Sequence, residues 1–390
     1  MAIKVIVECE TRPGARARLT ALGSAFMVAP LMIVAMAAPV VADRGNDDDR
    51  QNREASVRSP TNGQIVFRRY FNDEQTKGAL FVMNPDGSEV RRVTHPPKGW
   101  RDNVPAWSPD GETIVFERFK ADDSTSRVLV VDPDTGKTRT VVPCTGERCA
   151  YAIDPYFSPD SQSIAYARTV APPHVQHPPE WQLYSAIFVV GVDGSDARQV
   201  SSTPSRHPGQ PAAFDTTDPT FPPDGKVLAF LRVRYRPEEN TAVFVQPIGS
   251  PSDAQRITPW RMNCQDRPTF SPDGKLLLFR CMPEGEDGPS NLYWVHPDGT
   301  GLHQITLAPA DKQYLGSSFS PTFRKGQGWI TAGRTGGFGA DGNADVFGIL
   351  VRDGKVSRMV NLTRSEKWDS GPGWGVHPSA GSTKLARPLP

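Results

Sequence analysis

The chain has 390 residues, 37 % of them hydrophobic, with 34 glycines, 38 prolines and 44 Lys+Arg against 43 Asp+Glu. That apolar fraction excludes a disordered chain, so Gly and Pro, about 18 % together, must punctuate short ordered elements rather than interrupt long helices. A near-neutral chain has no global field to hold phosphate backbones or anionic lipid, which argues against nucleic acid as a partner.

The N-terminus reads as an address. Lys4, Arg12, Arg16 and Arg18 precede an apolar run from Leu19 to Ala38, and Val40 and Ala42 are small residues suited to signal-peptidase cleavage before Asp43. Residues 1–42 are read as a signal peptide. A retained membrane anchor is the alternative, weakened by Gly23, Ser24, Pro30 and Pro39 within or beside a run of about 20 residues. Residues 43–58 are expected to be a flexible, charged lead-in. Residues 1–42 hold four basic and two acidic side chains, so the mature chain keeps 40 Lys+Arg against 41 Asp+Glu. No cysteine follows the apolar run and no arginine pair precedes it, so the expected destination is the periplasm or the medium, without stable membrane insertion after cleavage.

From residue 59 onward one unit recurs. Ser-Pro or a near-match appears at Ser59, Ser108, Ser158, Pro222, Ser271, Ser320 and His377, with Ser-Pro-Asp-Gly intact at 108–111 and 271–274. Three of the six steps are 49 residues and one is 50. An aromatic precedes the motif at Trp107, Phe157, Phe221, Phe270 and Phe319, and a proline lies two places earlier at Pro105, Pro155, Pro219 and Pro268. An apolar strand follows each motif, as in Gln64–Phe67, Thr113–Phe116, Ser163–Tyr166, Val227–Phe230 and Leu276–Phe279. A second β-rich run then ends in a hairpin signal, such as Asn84-Pro85-Asp86-Gly87 or His296-Pro297-Asp298-Gly299, and a further strand closes the unit at Val90–Thr94 or Leu302–Thr306.

With the strands named A to D, each unit is a four-stranded antiparallel meander. One such sheet cannot bury both faces, so several must pack radially. The fold class is therefore all-β, a six-bladed β-propeller over 59–380 followed by a tail at 381–390. Six periods separate Ser59 from His377, so 374–380 is expected to return as strand A of the first blade and close the ring. An unfinished seventh blade, with 55–59 supplying its own strand A, is the alternative.

These units resemble the repeats of TolB-like propellers: Pro-x-Trp/Phe-Ser-Pro-Asp-Gly, an apolar strand, then Pro-Asp-Gly. The resemblance implies architecture more than activity. TolB proper is periplasmic, works in the Tol-Pal envelope system and has an α/β domain ahead of its propeller. Only about 16 residues separate the expected cleavage site from the first repeat, so that domain is expected to be absent, and TolB's partners do not simply carry over.

Strand polarity puts the A–B and C–D turns on one rim and the B–C and D–A loops on the other. The second set is longer and less regular, which makes it the candidate functional face. Its D–A segments hold Trp100, Arg101 and Asp102, then Tyr151, Arg206 and His207, Trp260 and Arg261, Tyr314, and Lys367, Trp368 and Asp369. Aromatic faces beside cations and carboxylates suit a peptide strand or a sugar ring. Taken singly, the same residues would cap blade ends. Asp154, Asp218 and Asp266 precede the strand-A aromatic near the axis. A Ca²⁺ ion there would remove their repulsion; otherwise each Asp caps the turn before its own strand. Two further B–C loops are the Pro-rich insertion within 169–184, with His174 and His177, and the Gly-rich stretch 335–343, which lacks a phosphate-cradle setting.

Cys9 leaves with the signal. Cys144 and Cys149 flank a short loop, and counting outward along the A–B hairpin from Phe270 and Leu276 sets Cys264 against Cys281. Both pairs are expected to form disulfides, in agreement with export. No GxSxG, HExxH or SxxK set is present, and the sequence names no acid, base and oxyanion donor at positions expected to converge. The expected role is non-catalytic binding of an envelope or secreted protein, peptide or polysaccharide by a monomer. The alternative is a metal-dependent hydrolase, lactonase or lyase with its chemistry in the channel.

Overall fold

The computed structural model describes residues 62–144, 149, 151–170, 183–203, 214–235, 239–283, 288–309, 311–335 and 343–378. The expected signal peptide, lead-in and tail lie outside these residues, as do most of the Pro-rich and Gly-rich insertions, Arg206 and His207.

The Ser-Pro-Asp-Gly turn explains the repeat. Ser108 Oγ donates to Asp110 Oδ1 at 2.6 Å and accepts the Thr113 N–H at 2.9 Å, while Asp110 Oδ1 accepts the Glu112 N–H at 2.9 Å. Gly111 then takes φ 75°, where a Cβ would be strained. The turn recurs at 271–274, with Ser271 Oγ on Asp273 at 2.6 Å and Gly274 at φ 70°. Such a turn fixes the register of strands A and B, and the apolar residues after it are then committed to the interior.

Six four-stranded antiparallel sheets result. The inner strands A are Trp100–Trp107, Ala152–Phe157, Phe214–Thr220, Cys264–Phe270, Tyr314–Phe319 and Trp368–Gly375. The strands B are Gln64–Tyr70, Ile114–Lys120, Ser163–Val170, Val227–Arg234, Leu277–Cys281 and Gly328–Thr335. Strand D is only two residues long in four blades, for example Arg91–Arg92 and His303–Gln304, shorter than the sequence suggested. A hydroxyl continues the ladder past its end: Leu80, Val243 and Leu292 each give their backbone N–H to a Thr Oγ1, of Thr94, Thr258 and Thr306, at 2.9 Å. Among the described residues the only helical segments are two 3-10 turns, Pro251–Asp253 and Trp260–Met262, and no helix is long and apolar enough to cross a membrane.

The core lies between blades. Phe230 and Phe244 of blade 4 pack on Ile187 and Val200 of blade 3, and Trp107 and Phe116 of blade 2 pack on Val66 and Leu80 of blade 1. Each fully buried aromatic or aliphatic side chain is worth about 1.5–3 kcal/mol, so no blade is stable without a neighbour.

The ring closes through the C-terminal segment, six residues earlier than the 374–380 expected. Trp368–Gly375 pairs with Gln64–Tyr70, and Trp374 Nε1 donates to the Asn62 carbonyl at 3.1 Å. His377, standing where other repeats have Ser, stacks on Trp107 at 5.0 Å and bonds the Gly111 carbonyl through Nδ1 at 2.7 Å. The first sheet is thus built from both ends of the propeller sequence.

Candidate binding rim and axial channel

Every inner strand breaks register at its middle. The residue at the break has positive φ in all six: Val104 45°, Asp154 53°, Asp218 54°, Asp266 60°, Gly316 65° and Gly371 59°. Gly and Asp are among the residues that accept this conformation, which explains why Asp recurs there. A bulge frees a backbone N–H from the ladder, and at three of the six a carboxylate of the preceding blade takes it. Glu117 Oε2 accepts the Asp154 N–H at 2.8 Å, Asp154 Oδ2 accepts that of Asp218 at 3.4 Å, and Asp266 Oδ2 accepts that of Gly316 at 2.7 Å. Glu117, Asp154 and Asp266 thus act as latches from one blade to the next.

Charge in the channel is mixed. Arg280 pairs with Asp266 at 2.5 Å and spans to Gln265 Oε1 and the Tyr314 carbonyl, both at 3.0 Å. Arg267, next along the bulge from Asp266, lies over the Tyr156 ring at 5.4 Å, with its Nε and Nη2 buried and without a hydrogen-bond partner. Burial pushes Glu117 up to about 7, opposed by the Asp154 N–H and by Arg267 and Arg68. Burial and then the Glu117 charge push Asp154 up to about 7, and burial with the Asp154 charge raises Asp218 well above the carboxylate range. Among the described residues no three His, Cys, Asp or Glu side chains are grouped to hold a metal ion. The cation whose charge reaches Asp154 and Asp218 is Arg267, while Asp266 pairs with Arg280.

On the rim, the inner strands begin earlier than the sequence suggested, so several expected loop residues are strand residues. Asp102 is fully buried and accepts two bonds from Arg118, at 2.6 and 3.0 Å; Asp369 is likewise buried, with both oxygens on Arg69 at 2.7 Å. Arg101 is buried, pairs with Asp123 and lies over Phe119, and Tyr314 is 2 % exposed. Asp102, Asp369 and Arg101 tie strands within their own blades, and Tyr314 packs against the preceding blade. Trp100 is half-buried under the Arg127 guanidinium at 4.2 Å, and Tyr151 donates its hydroxyl to the Asp123 carbonyl. Trp260 sits between Arg234, at 4.6 Å, and Arg256, at 5.5 Å. Trp368 is half-buried with Nε1 on Ser370 Oγ, while Arg261 and Lys367 are exposed. Among the described residues, Trp100, Tyr151, Trp260, Arg261, Lys367 and Trp368 are thus the members of the set that present surface.

One row of rim residues lies outside that set. Strand B carries an arginine at one repeat position in five blades: Arg69, Arg118, Arg168, Arg232 and Arg334, with disulfide-bonded Cys281 in the sixth. Each lies over an aromatic ring, among them Phe81, Phe116, Phe188, Phe244 and Phe347. The signal is present in the sequence as aromatic-x-Arg at 67–69, 116–118, 166–168 and 230–232. It falls after the turn motif, where the apolarity of the strand masks it.

Both disulfides are present, Cys144–Cys149 and Cys264–Cys281. Phe270 stands opposite Leu277 rather than Leu276, and the bulge absorbs the difference, leaving Cys264 directly opposite Cys281.

Comparison with known proteins places this geometry. No family model matches the sequence. The uncharacterized protein Atu1656 of Agrobacterium fabrum is 33 % identical over 106 residues, which is 25 % of this chain and 35 % of that protein. The chain thus spans about a third of the curated relative it matches. Among solved structures, TolB from Acinetobacter baumannii is 18 % identical, with a TM-score of 0.54 over 84 % of this chain and 70 % of that one. A putative TolB from Agrobacterium tumefaciens is 18 % identical, with a TM-score of 0.51 over 82 % of this chain and 94 % of that one. The fold is that of TolB-like propellers. The same architecture appears in hydrazine synthase of Kuenenia stuttgartiensis, 10 % identical with a TM-score of 0.58 over 82 % of this chain and 48 % of that one, so it does not of itself decide function.

Proposed function

We propose that this chain is an exported, non-catalytic binding protein that holds a partner protein or peptide on the rim of B–C and D–A loops. The observation that carries this reading is two part-exposed aromatics on that rim set beside cations: Trp100 with Arg127, and Trp260 with Arg234, Arg256 and exposed Arg261. Such pairs are rigid, amphipathic and weakly hydrated, the chemistry of interface anchors. The channel acids support the same reading, since Glu117, Asp154 and Asp266 already hold backbone N–H groups of the next blade. Two disulfides and the basic-apolar N-terminus favour a periplasmic or secreted location.

The test is affinity capture from an envelope extract, with wild type, Trp260→Ala and Arg261→Ala side by side. A discrete protein retained by the wild type should be lost from both variants. Retention that ignores both substitutions would show that this rim is not the binding face.

A further inference from the structure

The row of strand-B arginines is neutralised unevenly. In blades 1 and 2 the strand-A residue directly opposite is an aspartate, Asp369 for Arg69 and Asp102 for Arg118, and each makes a two-point carboxylate–guanidinium pair. In blades 3 and 4 the same position holds Ala152 opposite Arg168 and Thr216 opposite Arg232. The strand-C residues on the other side are Ala186 and Ala242. The acids of strand A in blade 4 are engaged elsewhere: Asp215 takes the Ser185 N–H and the Tyr235 hydroxyl, and Asp218 sits in the bulge.

Three guanidiniums are left on the blade 3 and 4 side of the rim with no carboxylate on them among the described residues. Arg232 lies against Phe214, Phe244 and Phe230, at 4.0, 4.5 and 5.6 Å, and its one hydrogen bond among the described residues is to Ser202 Oγ at 3.3 Å. Arg234, two residues further toward the rim on the same face, lies over Trp260; Arg168 lies over Phe188 at 5.7 Å. Among the described residues the Nε atoms of all three are buried without a hydrogen-bond partner, as is Thr216 Oγ1 opposite Arg232. A guanidinium held in an aromatic cleft without a counter-charge is costly, and the repeat itself shows what relieves it. Burial lowers Arg232 only to about 10, so it keeps its charge at neutral pH.

We propose that Arg168, Arg232 and Arg234 receive the side-chain carboxylates of a glutamate-bearing peptide segment of the partner. The inference rests on the rim being the binding face and adds the chemistry it recognises. A peptide fits better than an acidic sugar. Arg168 and Arg232 lie against aromatic rings of their own blades and Arg234 against Trp260 of the loop that follows, where a carboxylate on a flexible two-carbon stem has more freedom to align than one fixed to a sugar ring. Guanidinium–carboxylate pairing supplies both the geometry and the charge-assisted bonds.

The experiment uses a fluorescein-labelled hexaglutamate peptide, with hexaglutamine and trigalacturonate as comparators, and reads anisotropy against the purified protein at low and moderate salt. Hexaglutamate should bind in a salt-sensitive manner, hexaglutamine should not, and trigalacturonate should compete at least about tenfold more weakly. Arg232→Gln and, in the neighbouring blade, Arg168→Gln should each weaken binding about tenfold. Thr216→Asp installs the carboxylate that blades 1 and 2 already have; it should abolish binding while raising the thermal midpoint, and Thr216→Ser should do neither. Hexaglutamate affinity unchanged by Thr216→Asp and by both glutamine variants would overturn the proposal. Tighter binding of trigalacturonate would overturn it in favour of a glycan. Capture of the envelope partner lost in Trp260→Ala but intact in Thr216→Asp would sink this inference alone, whereas capture indifferent to every rim substitution would sink the binding reading beneath it.

Discussion

Glu117 and Asp154 show how one residue in a repeat can be set against its ordinary chemistry. Both are pushed up to about 7, so between the ordinary carboxylate range and neutrality the folded chain holds protons that the unfolded chain releases. Their contribution to stability is fully present below about pH 4 and is lost as pH rises through 7. The turn aspartates, such as Asp86 and Asp160, act oppositely, being held below their usual range mainly by Ser88 and Ser158, and they release their contribution only in stronger acid. The thermal midpoint should therefore fall by a few degrees between pH 5 and pH 8, and Glu117→Gln, which keeps an acceptor for the Asp154 N–H, should flatten that slope. Differential scanning fluorimetry at the two pH values checks it; an unchanged slope in the variant would mean that Glu117 does not carry the effect. At this scale the sequence is half readable. Asp154, Asp218 and Asp266 can be found from their place in the repeat, because left-handed backbone selects Asp at a fixed offset from the turn. Glu117 cannot, since it reaches the axis from strand B and meets its partner across a blade boundary.

At the scale of the element, the A–B hairpin decides most of a blade's geometry. The Ser-Pro-Asp-Gly turn sets its register, the bulge then shifts it, and the strand-B arginine near the rim either meets an Asp or does not. In blade 5 a disulfide replaces the arginine, with a sequence separation of 17 between Cys264 and Cys281. Closing a loop of that length is worth about 3 kcal/mol in the chain-entropy account. For a domain of this size that corresponds to about 5 °C in thermal midpoint, so Cys264→Ala/Cys281→Ala should melt about that much lower than wild type. An equal midpoint would mean that the bridge adds nothing to a hairpin already held by its turn. The hairpins are legible in the sequence because alternation and turn chemistry are local. The start of each inner strand is not. Asp102 and Asp369 look like loop residues until their arginine partners, 16 and 300 residues away, are brought beside them.

Across the whole molecule, stability rests on a ring whose last seam is made by Trp368–Gly375 and clasped by Trp374 and His377. Without that seam strand B of blade 1 has an open edge, and the cores on both sides are uncovered. A chain ending at residue 367 should aggregate or melt far below the full one, cooperatively, as followed by circular dichroism; a shift of only a few degrees would mean the seam is dispensable. Six blades and the closure by both ends are readable from the period alone, since a period belongs to the entire chain. The direction in which a partner is gripped is not, because it depends on which cations the fold leaves without a counter-charge. Hydrogen–deuterium exchange of the protein with and without its captured envelope partner reads that direction. Protection is expected at Trp100–Arg101, at 168–170, at 232–235 and at Trp260–Met262, with the turns at 108–111 and 271–274 unchanged. Protection confined to those turns would place the partner on the opposite rim and contradict binding at the rim of B–C and D–A loops.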